Sequence, residues 1–326
     1  MTLLEARALD VGYMIPGQGL LSRPRMLPIV REVSLSLDTG KTLGVVGESG
    51  CGKSTLGRAL LRLTRPTGGQ VFWQGQDMAG FAPDILRQRR AEMQIIFQDP
   101  LAALDPRMTV LSSVTRPLAT FAPGLTRDAR ERRAIDALSR VGLDPAFAAR
   151  YPHELSGGQA QRVGIARAII GGPKMIICDE PVSALDVSVQ AQVVNLLMDL
   201  QDQLGLALIF ISHNLSVVRQ IAHDVMVMCL GRVVETAPRQ AFFAGPLHPY
   251  SQALMQAVPT PDPAREKARR GTALVGELPS VLNPPAGCVF ATRCPRAEAR
   301  CHAERPALRA FAGGRQAACH FIDASP

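Results

Sequence analysis

An α/β fold is what this sequence predicts, and three observations carry the expectation. Short apolar runs of core-strand length recur along the chain: Leu43–Val46, Met175–Cys178, Leu206–Ile211 and Val225–Leu230. Stretches with helical texture stand between them, among them Leu56–Leu63, Thr126–Arg140 and Gln161–Ile170. Between the first strand and the first helix lies Gly47-Glu48-Ser49-Gly50-Cys51-Gly52-Lys53-Ser54-Thr55, which fits the phosphate-binding pattern G-x-x-x-x-G-K-[ST]. The glycines let the backbone wrap an anion with N–H groups pointing inward. Lys53 can reach the outer phosphates, and the Ser54 hydroxyl suits Mg²⁺.

The totals set bounds. At 326 residues, 47% hydrophobic and 20% charged, the chain has room for two domains or for one large domain with a smaller companion. No apolar run approaches the roughly 18 residues of a membrane span. The N-terminus carries Glu5 and no long apolar stretch, so no secretory signal is expected and the cytoplasm is the expected compartment. Net charge is +8, mostly from arginine, with half of it in residues 262–326. That balance fits nucleic acid, anionic lipid or a solvated surface alike, and no aromatic–basic interleaving favours stacked bases. Of seven cysteines, Cys51, Cys178 and Cys229 fall in core or loop segments and read as packing residues.

Taken in order, residues 1–46 alternate apolar and polar positions, which predicts strands around a Gly/Pro-rich loop at Pro16–Pro28. Tyr13, near the end of the first strand, is either an adenine-stacking ring or a half-buried anchor. Val71–Gly75 gives a short strand with the only tryptophan, and Met93–Phe97 a further strand ending at Gln98. Gln98 reads as a contact to Mg²⁺ or the attacking water, or as a surface glutamine. From Asp99 to Glu154 the texture changes: Pro100, Pro106, Pro117 and Pro123 break the chain into pieces before the arginine-rich helix Thr126–Arg140, which predicts an inserted helical subdomain. Leu155-Ser156-Gly157-Gly158-Gln159 then opens a helix, either as a Ser/Gly cap or as a second anion cradle completing a site on another subunit. The buried strand Met175–Cys178 runs into Asp179-Glu180, placed to hold a metal and to polarise water, or else a solvated turn. After Ser183-Ala184-Leu185-Asp186 the stripe Val189, Val193, Leu196, Leu197, Leu200 and Leu204 is a core-facing helix. His213, beyond the strand Leu206–Ile211, is structural or faces a γ-phosphate.

In combination these residues resemble the ABC-type ATPases. The phosphate loop at 47–55, Gln98, LSGGQ at 155–159, Asp179-Glu180, SALD at 183–186 and His213 stand in that family's order, over about residues 3–240. Ile96-Phe97-Gln98-Asp99-Pro100, Pro106–Val110, Glu180–Ser188 and the tail His248–Leu254 are similar to the oligopeptide/dipeptide importer branch, especially its second ATPase subunit, and extend the likeness to about residue 320. The resemblance implies a P-loop NTPase core of the ABC type with an antiparallel β subdomain, a helical subdomain at about 99–165, and a small cysteine-containing extension. The expected domains are 1–240 and 241–326. It also implies a dimer that sandwiches ATP between one subunit's phosphate loop and the other's signature. Two membrane permeases, a second non-identical ATPase and an external substrate-binding protein would be partners, at the cytoplasmic face of the inner membrane, with no nucleic acid.

By motif position, Gly47, Ser49, Gly50, Cys51, Gly52, Lys53, Ser54 and Thr55 would bind ATP, with Tyr13 on the adenine. Ser54, Gln98 and Asp179 would hold Mg²⁺; Glu180 would be the general base and His213 the γ-phosphate partner. Gln98 would also couple hydrolysis to the permease. Ser156, Gly157, Gly158, Gln159 and Asp186 would serve the partner's ATP. Asn214, where the family usually has Asp, and Ala160 depart from the pattern outside the catalytic set.

Cys288, Cys294, Cys301 and Cys319, spaced C-x₅-C-x₆-C-x₁₇-C, lie in a Pro/Gly/Arg-rich segment with little periodicity. A small core there gains from a crosslink or a metal, and a reducing cytosol disfavours disulfides. Four thiolates suit iron–sulfur chemistry; the pair spacing common at zinc sites is absent. The importer tail is similar, and some of its members carry a [4Fe–4S] cluster. Zinc, a mixed site with His302 or His320, and unliganded thiols stay open.

Other functions compete. A soluble ABC ATPase of translation or DNA repair is one; the single cassette and the lack of sustained heptads speak against it. A redox- or metal-sensing module is another. Nickel, haem and glutathione importers share this ATPase pattern, so the cargo is open.

Overall fold

The computed structural model describes residues 1–16, 24–258, 280 and 282–322. The elements, in chain order, are β1 (Thr2–Ile15), β2 (Arg25–Asp38), β3 (Thr42–Val46), α1 (Lys53–Leu60), β4 (Gly68–Trp73), β5 (Gln76–Asp77), α2 (Pro83–Ala91), β6 (Met93–Ile96), α3 (Val110–Phe121), α4 (Arg127–Arg140) and α5 (Gly157–Ile169). They continue with β7 (Met175–Asp179), α6 (Val187–Leu204), β8 (Ala207–Ser212), α7 (Leu215–Ile221), β9 (Asp224–Cys229), β10 (Arg232–Pro238), α8 (Arg239–Ala244), α9 (Pro249–Gln256), α10 (Ala299–Ala303), β11 (Arg309–Phe311) and β12 (Arg315–Ala317). No helix among the described residues is long and apolar enough to cross a membrane. Part of the expected loop at 16–28 lies outside the described residues, and β2 begins inside it, at Arg25. Pro28 is tolerated there because β2 is an edge strand, where a missing N–H breaks no ladder.

The chain divides into two compact units. One comprises Met1–Leu4, Leu37–Thr42 and Trp73–Ile211. Its sheet is parallel: β6 pairs with β7 at Met93↔Met175, and β7 with β8 at Met175↔Ala207 through Asp179↔Ile211. All five residues of β7 and all six of β8 are buried, as strands covered on both faces must be, which is why they read as unbroken apolar runs. Trp73 is 1% exposed, and its indole N–H donates to Glu92 Oε2 at 3.2 Å. The same carboxylate group binds Lys174 at 3.0 Å and Arg89 at 3.1 Å, and these partners together hold it below the usual carboxylate range against the opposing pull of burial. Helices α3, α4 and α5 pack on one another, and Val114, Leu118, Ala134, Leu138 and Val163 on them are buried. Thr109 and Thr126 cap α3 and α4, accepting the Ser112 and Ala129 N–H groups. Arg162 and Arg167 reach from α5 to the Val141 and Ala103 carbonyls, both at 2.6 Å.

The other unit comprises Glu5–Ser36, Leu43–Phe72 and Ser212–Pro326. Here β2, β1 and β4 lie side by side. A second sheet runs β11-β12-β10-β9-β3, with β3 parallel to β9 (Leu43↔Asp224) and the other pairs antiparallel. A register shift between Val233 and Glu235 breaks the alternation of β10, so Val234 and Glu235 are both buried. Burial raises the Glu235 pKa; the N–H groups of Leu247 and His248, donating to its carboxylate at 2.7 and 2.8 Å, partly offset that.

Candidate nucleotide site

The two units each carry a share of the candidate residues. The phosphate loop leaves β3, buried along its whole length, and enters α1 at Lys53. Gly47, Gly50 and Gly52 hold φ of 152°, 78° and 102°. A Cβ at Gly47 would strike the Met228 carbonyl oxygen, and one at Gly52 would come within 2.9 Å of the Ile29 carbonyl oxygen. The loop is therefore closed by backbone on its outer side, and only glycine fits at those two positions. Lys53 is 4% exposed; its ammonium donates to the carbonyls of Gly47 at 2.8 Å and Glu48 at 3.0 Å. The Cys51 thiol, 3.9 Å from Lys53 Nζ, is raised by burial, so it stays protonated and serves as packing. Ser54 and Thr55 are half-buried in the first turn of α1, whose leading N–H groups favour an anion.

Two residues that sequence reasoning missed support this loop. The Tyr250 hydroxyl accepts the Glu48 N–H at 2.9 Å, and the Arg293 guanidinium grips the Glu48 carboxylate at 2.7 and 2.8 Å. In the same unit His213 is exposed beyond β8, and an open cavity of about 310 Å³ is lined by Val46, Gly47, His213, Asn214 and Leu254 among others. Asn214 caps α7, accepting the Ser216 N–H at 3.0 Å, a task asparagine performs as well as aspartate. Tyr13 lies near the end of β1, 41% exposed.

The other unit brings Gln98 and Glu180 together: Gln98 Nε2 donates to Glu180 Oε2 at 3.2 Å. Asp179 ends β7 with 3% exposure. Glu180 takes a left-handed φ of 47°, its N–H donating to the Ile211 carbonyl at 3.0 Å and its carbonyl accepting the Ser183 hydroxyl at 3.1 Å. Ser156 caps α5: its Oγ accepts the Gln159 N–H at 3.3 Å, while Gln159 Oε1 accepts the Ser156 N–H at 2.9 Å. The cap reading of this segment is thus realised, and Ser156 and Gly157 remain exposed at the helix start. Gly158 has no room for a side chain, since a Cβ would lie 2.7 Å from Val189 Cγ1 on α6. Asp186, exposed, is the N-cap residue of α6.

The four tail cysteines converge. The Cys288 N–H donates to the Cys301 carbonyl at 2.8 Å, and Cys288, Cys301 and Cys319 are buried while Cys294 is half-buried. Burial pushes the Cys288 thiol up to about 11, with the charges of the other three cysteines adding to it. Among the described residues no three His, Cys, Asp or Glu side chains are close enough to hold a single metal ion. A tetrahedral zinc with bonds of about 2.3 Å would need its sulfurs about 4 Å apart. His320 directs Nε2 to the Glu304 carbonyl at 3.0 Å.

Comparison with known proteins places this geometry. The ABC transporter family pattern matches residues 30–183, and that of the oligopeptide/dipeptide transporter C-terminal region matches 234–301. The oligopeptide transport ATP-binding protein OppF of Escherichia coli is 53% identical over 308 residues, spanning 94% of this chain and 92% of its own. The dipeptide transport ATP-binding protein DppF of the same organism is 47% identical over 323 residues, 98% of this chain and 95% of its own. Among solved structures, the dimeric post-hydrolysis state of the ATP-binding cassette MJ0796 bound to ADP and Pi superposes with a TM-score of 0.64 at 27% identity, over 73% of this chain and 99% of that one. The chain belongs to the ATP-binding subunits of ABC transporters. Within them it falls in the branch of the oligopeptide and dipeptide transporters.

Proposed function

We propose that this chain is the ATP-hydrolysing subunit that powers import of di- or oligopeptides through a pair of membrane permeases. The observation that carries the peptide reading is the match of residues 234–301 to the C-terminal region of oligopeptide/dipeptide transporters, alongside relatives similar over nearly the whole chain. The loop at 47–55 binds the phosphates, with Lys53 released from its two carbonyls to meet them. Ser54, Gln98 and Asp179 supply the hydroxyl, amide and carboxylate oxygens that suit magnesium, which when bound offsets phosphate charge. Glu180 takes the proton of the attacking water, held in place by Gln98, and His213 faces the γ-phosphate. Tyr13 stacks on adenine. Ser156, Gly157, Gly158, Gln159 and Asp186 complete the ATP site of a second, non-identical ATPase subunit.

In this reading the ATPase domain is 1–240, with its helical subdomain at about 99–165 transmitting closure of the dimer to the permeases. The extension at 241–326 carries the cysteines. The assembly sits peripherally on the cytoplasmic face of the inner membrane and is fed by an external binding protein. For the four tail thiols the ligand in this reading is a [4Fe–4S] cluster, held by Cys288, Cys294, Cys301 and Cys319, since four thiolates suit iron–sulfur chemistry. Iron and acid-labile sulfide in anaerobically purified protein, lost in Cys288→Ser, would support it; their absence would remove it. The reading as a whole is tested by purifying the tagged chain from detergent-solubilised membranes and identifying its partners by mass spectrometry. Two permeases and a second ATPase are expected. Ribosomal or DNA-repair proteins, with nothing from the membrane, would overturn it.

A further inference from the structure

Glu48 poses an electrostatic problem: a carboxylate stands in the second position of a loop built to receive phosphate. The structure answers it from far along the chain. Arg293, 245 residues away, presents both terminal guanidinium nitrogens to the Glu48 carboxylate at 2.7 and 2.8 Å, its side chain 6% exposed and that of Glu48 20%. Such a two-toothed, largely desolvated pair fixes geometry as well as charge. Arg293 is itself held. It ends the single 3₁₀ turn Ala291–Arg293, and the Phe290 ring beside it packs on Tyr250, centroids 5.2 Å apart. Tyr250 in turn accepts the Glu48 N–H at 2.9 Å. Glu48 is thus fixed at its backbone by Tyr250 of α9 and at its side chain by Arg293, which directly precedes Cys294 in the segment that bears the cysteines. The Glu48 carbonyl is also one of the two that receive the Lys53 ammonium.

We propose that Arg293 is a positioning residue for nucleotide binding: it neutralises Glu48 and pins the phosphate loop in its binding shape, so the cysteine-bearing tail sets the affinity of the loop for ATP. This rests on nucleotide binding by the loop. Removing Arg293 leaves a negative charge beside the phosphate site, whereas removing Glu48 does not. Removing Glu48 from the Arg293 variant takes away that stray charge, so the second loss partly repairs the first.

The test is equilibrium binding of a fluorescent ATP analogue with Mg²⁺ to the full chain. Wild type is compared with Arg293→Gln, Arg293→Lys, Glu48→Gln and the double variant Glu48→Gln/Arg293→Gln, with Lys53→Ala as the non-binding control and unfolding curves without nucleotide for each. Arg293→Gln is expected to bind roughly tenfold more weakly, as for coupled neighbours in one charge network. The double variant is expected to bind several-fold more tightly than Arg293→Gln, because the uncompensated carboxylate is gone. Arg293→Lys keeps the charge but loses the two-toothed grip, so it is expected between Arg293→Gln and wild type, and it reads the effect of charge even where the glutamine variant folds poorly. Binding by Arg293→Gln equal to wild type, or a double variant as weak as Arg293→Gln, overturns the proposal. No binding by wild type itself overturns the nucleotide reading beneath it.

Discussion

Gln98 donates to Glu180 at 3.2 Å while Glu180 sits on a left-handed backbone, φ 47°. A glutamate pays roughly 1–2 kcal/mol for that conformation. It is held by the Ile211 carbonyl on one side and the Ser183 hydroxyl on the other. Backbone strain at a residue whose carboxylate ends beside a glutamine amide marks a side chain that is aimed. Glu180→Gln keeps the amide contact and the size but removes the base. It should bind ATP about as wild type does and release phosphate at least about 100-fold more slowly. Parallel nucleotide-binding and phosphate-release assays check both halves.

Gly47 should not accept any side chain. Its φ of 152° and the Met228 carbonyl oppose a Cβ together, so Gly47→Ala should lose on the order of 2–3 kcal/mol of stability and most of its nucleotide affinity. Gly50→Ala meets nothing within 4 Å and should lose only about 1 kcal/mol, for its φ of 78° alone. Urea unfolding of the two variants separates a closed loop from a merely bent one.

Ser156 has a structural duty whatever else it does. Ser156→Ala removes the oxygen that receives the Gln159 N–H and should cost about 1 kcal/mol in the isolated chain. If Ser156 also serves a partner's ATP, ATP-dependent association of Ser156→Ala should fall by more than that loss explains. Sedimentation with Glu180→Gln as background measures it.

Stability should weaken in mild acid through His248. This ring is 1% exposed, its Nδ1 accepts the Tyr250 N–H at 3.0 Å, and burial lowers its pKa to about 4. Between about 6.5 and 4 the unfolded chain binds the proton and the folded one refuses it, so stability is lost as pH falls through that window. The full effect is on the order of 3 kcal/mol. Glu235, raised by burial, acts with the opposite sign, gaining its proton first in the folded state. Comparing His248→Asn with wild type isolates the histidine: the variant's unfolding free energy should fall less steeply from pH 6.5 to 4.

Local signals were legible and distant ones were not. The phosphate loop, the Asp179–Glu180 strand end and the LSGGQ helix start each lie within a few residues, so spacing alone exposes them, and β3, β7 and β8 follow from unbroken apolar runs. The Gln98–Glu180 bond spans 82 residues, and only the motif order brings the two into one site. Nothing local hints that Tyr250 and Arg293 close on Glu48 across 202 and 245 residues. Glu235 escaped because a bulge turns a polar position inward. The tail reads as aperiodic, yet it holds the hairpin β11–β12; three-residue strands are too short to show a period, and the Gly313-Gly314 pair, at φ 75° and 71°, is the one turn signal that could have revealed it.

ATP hydrolysis by this chain should drive peptide import. The most direct test is uptake of a radiolabelled di- or oligopeptide by cells in which the native gene is replaced by wild type or by Glu180→Gln at equal expression. Uptake with the wild-type gene that falls to the level of the deletion with Glu180→Gln is the predicted result. Peptide uptake unchanged by Glu180→Gln, or by deletion of the chain, would contradict it.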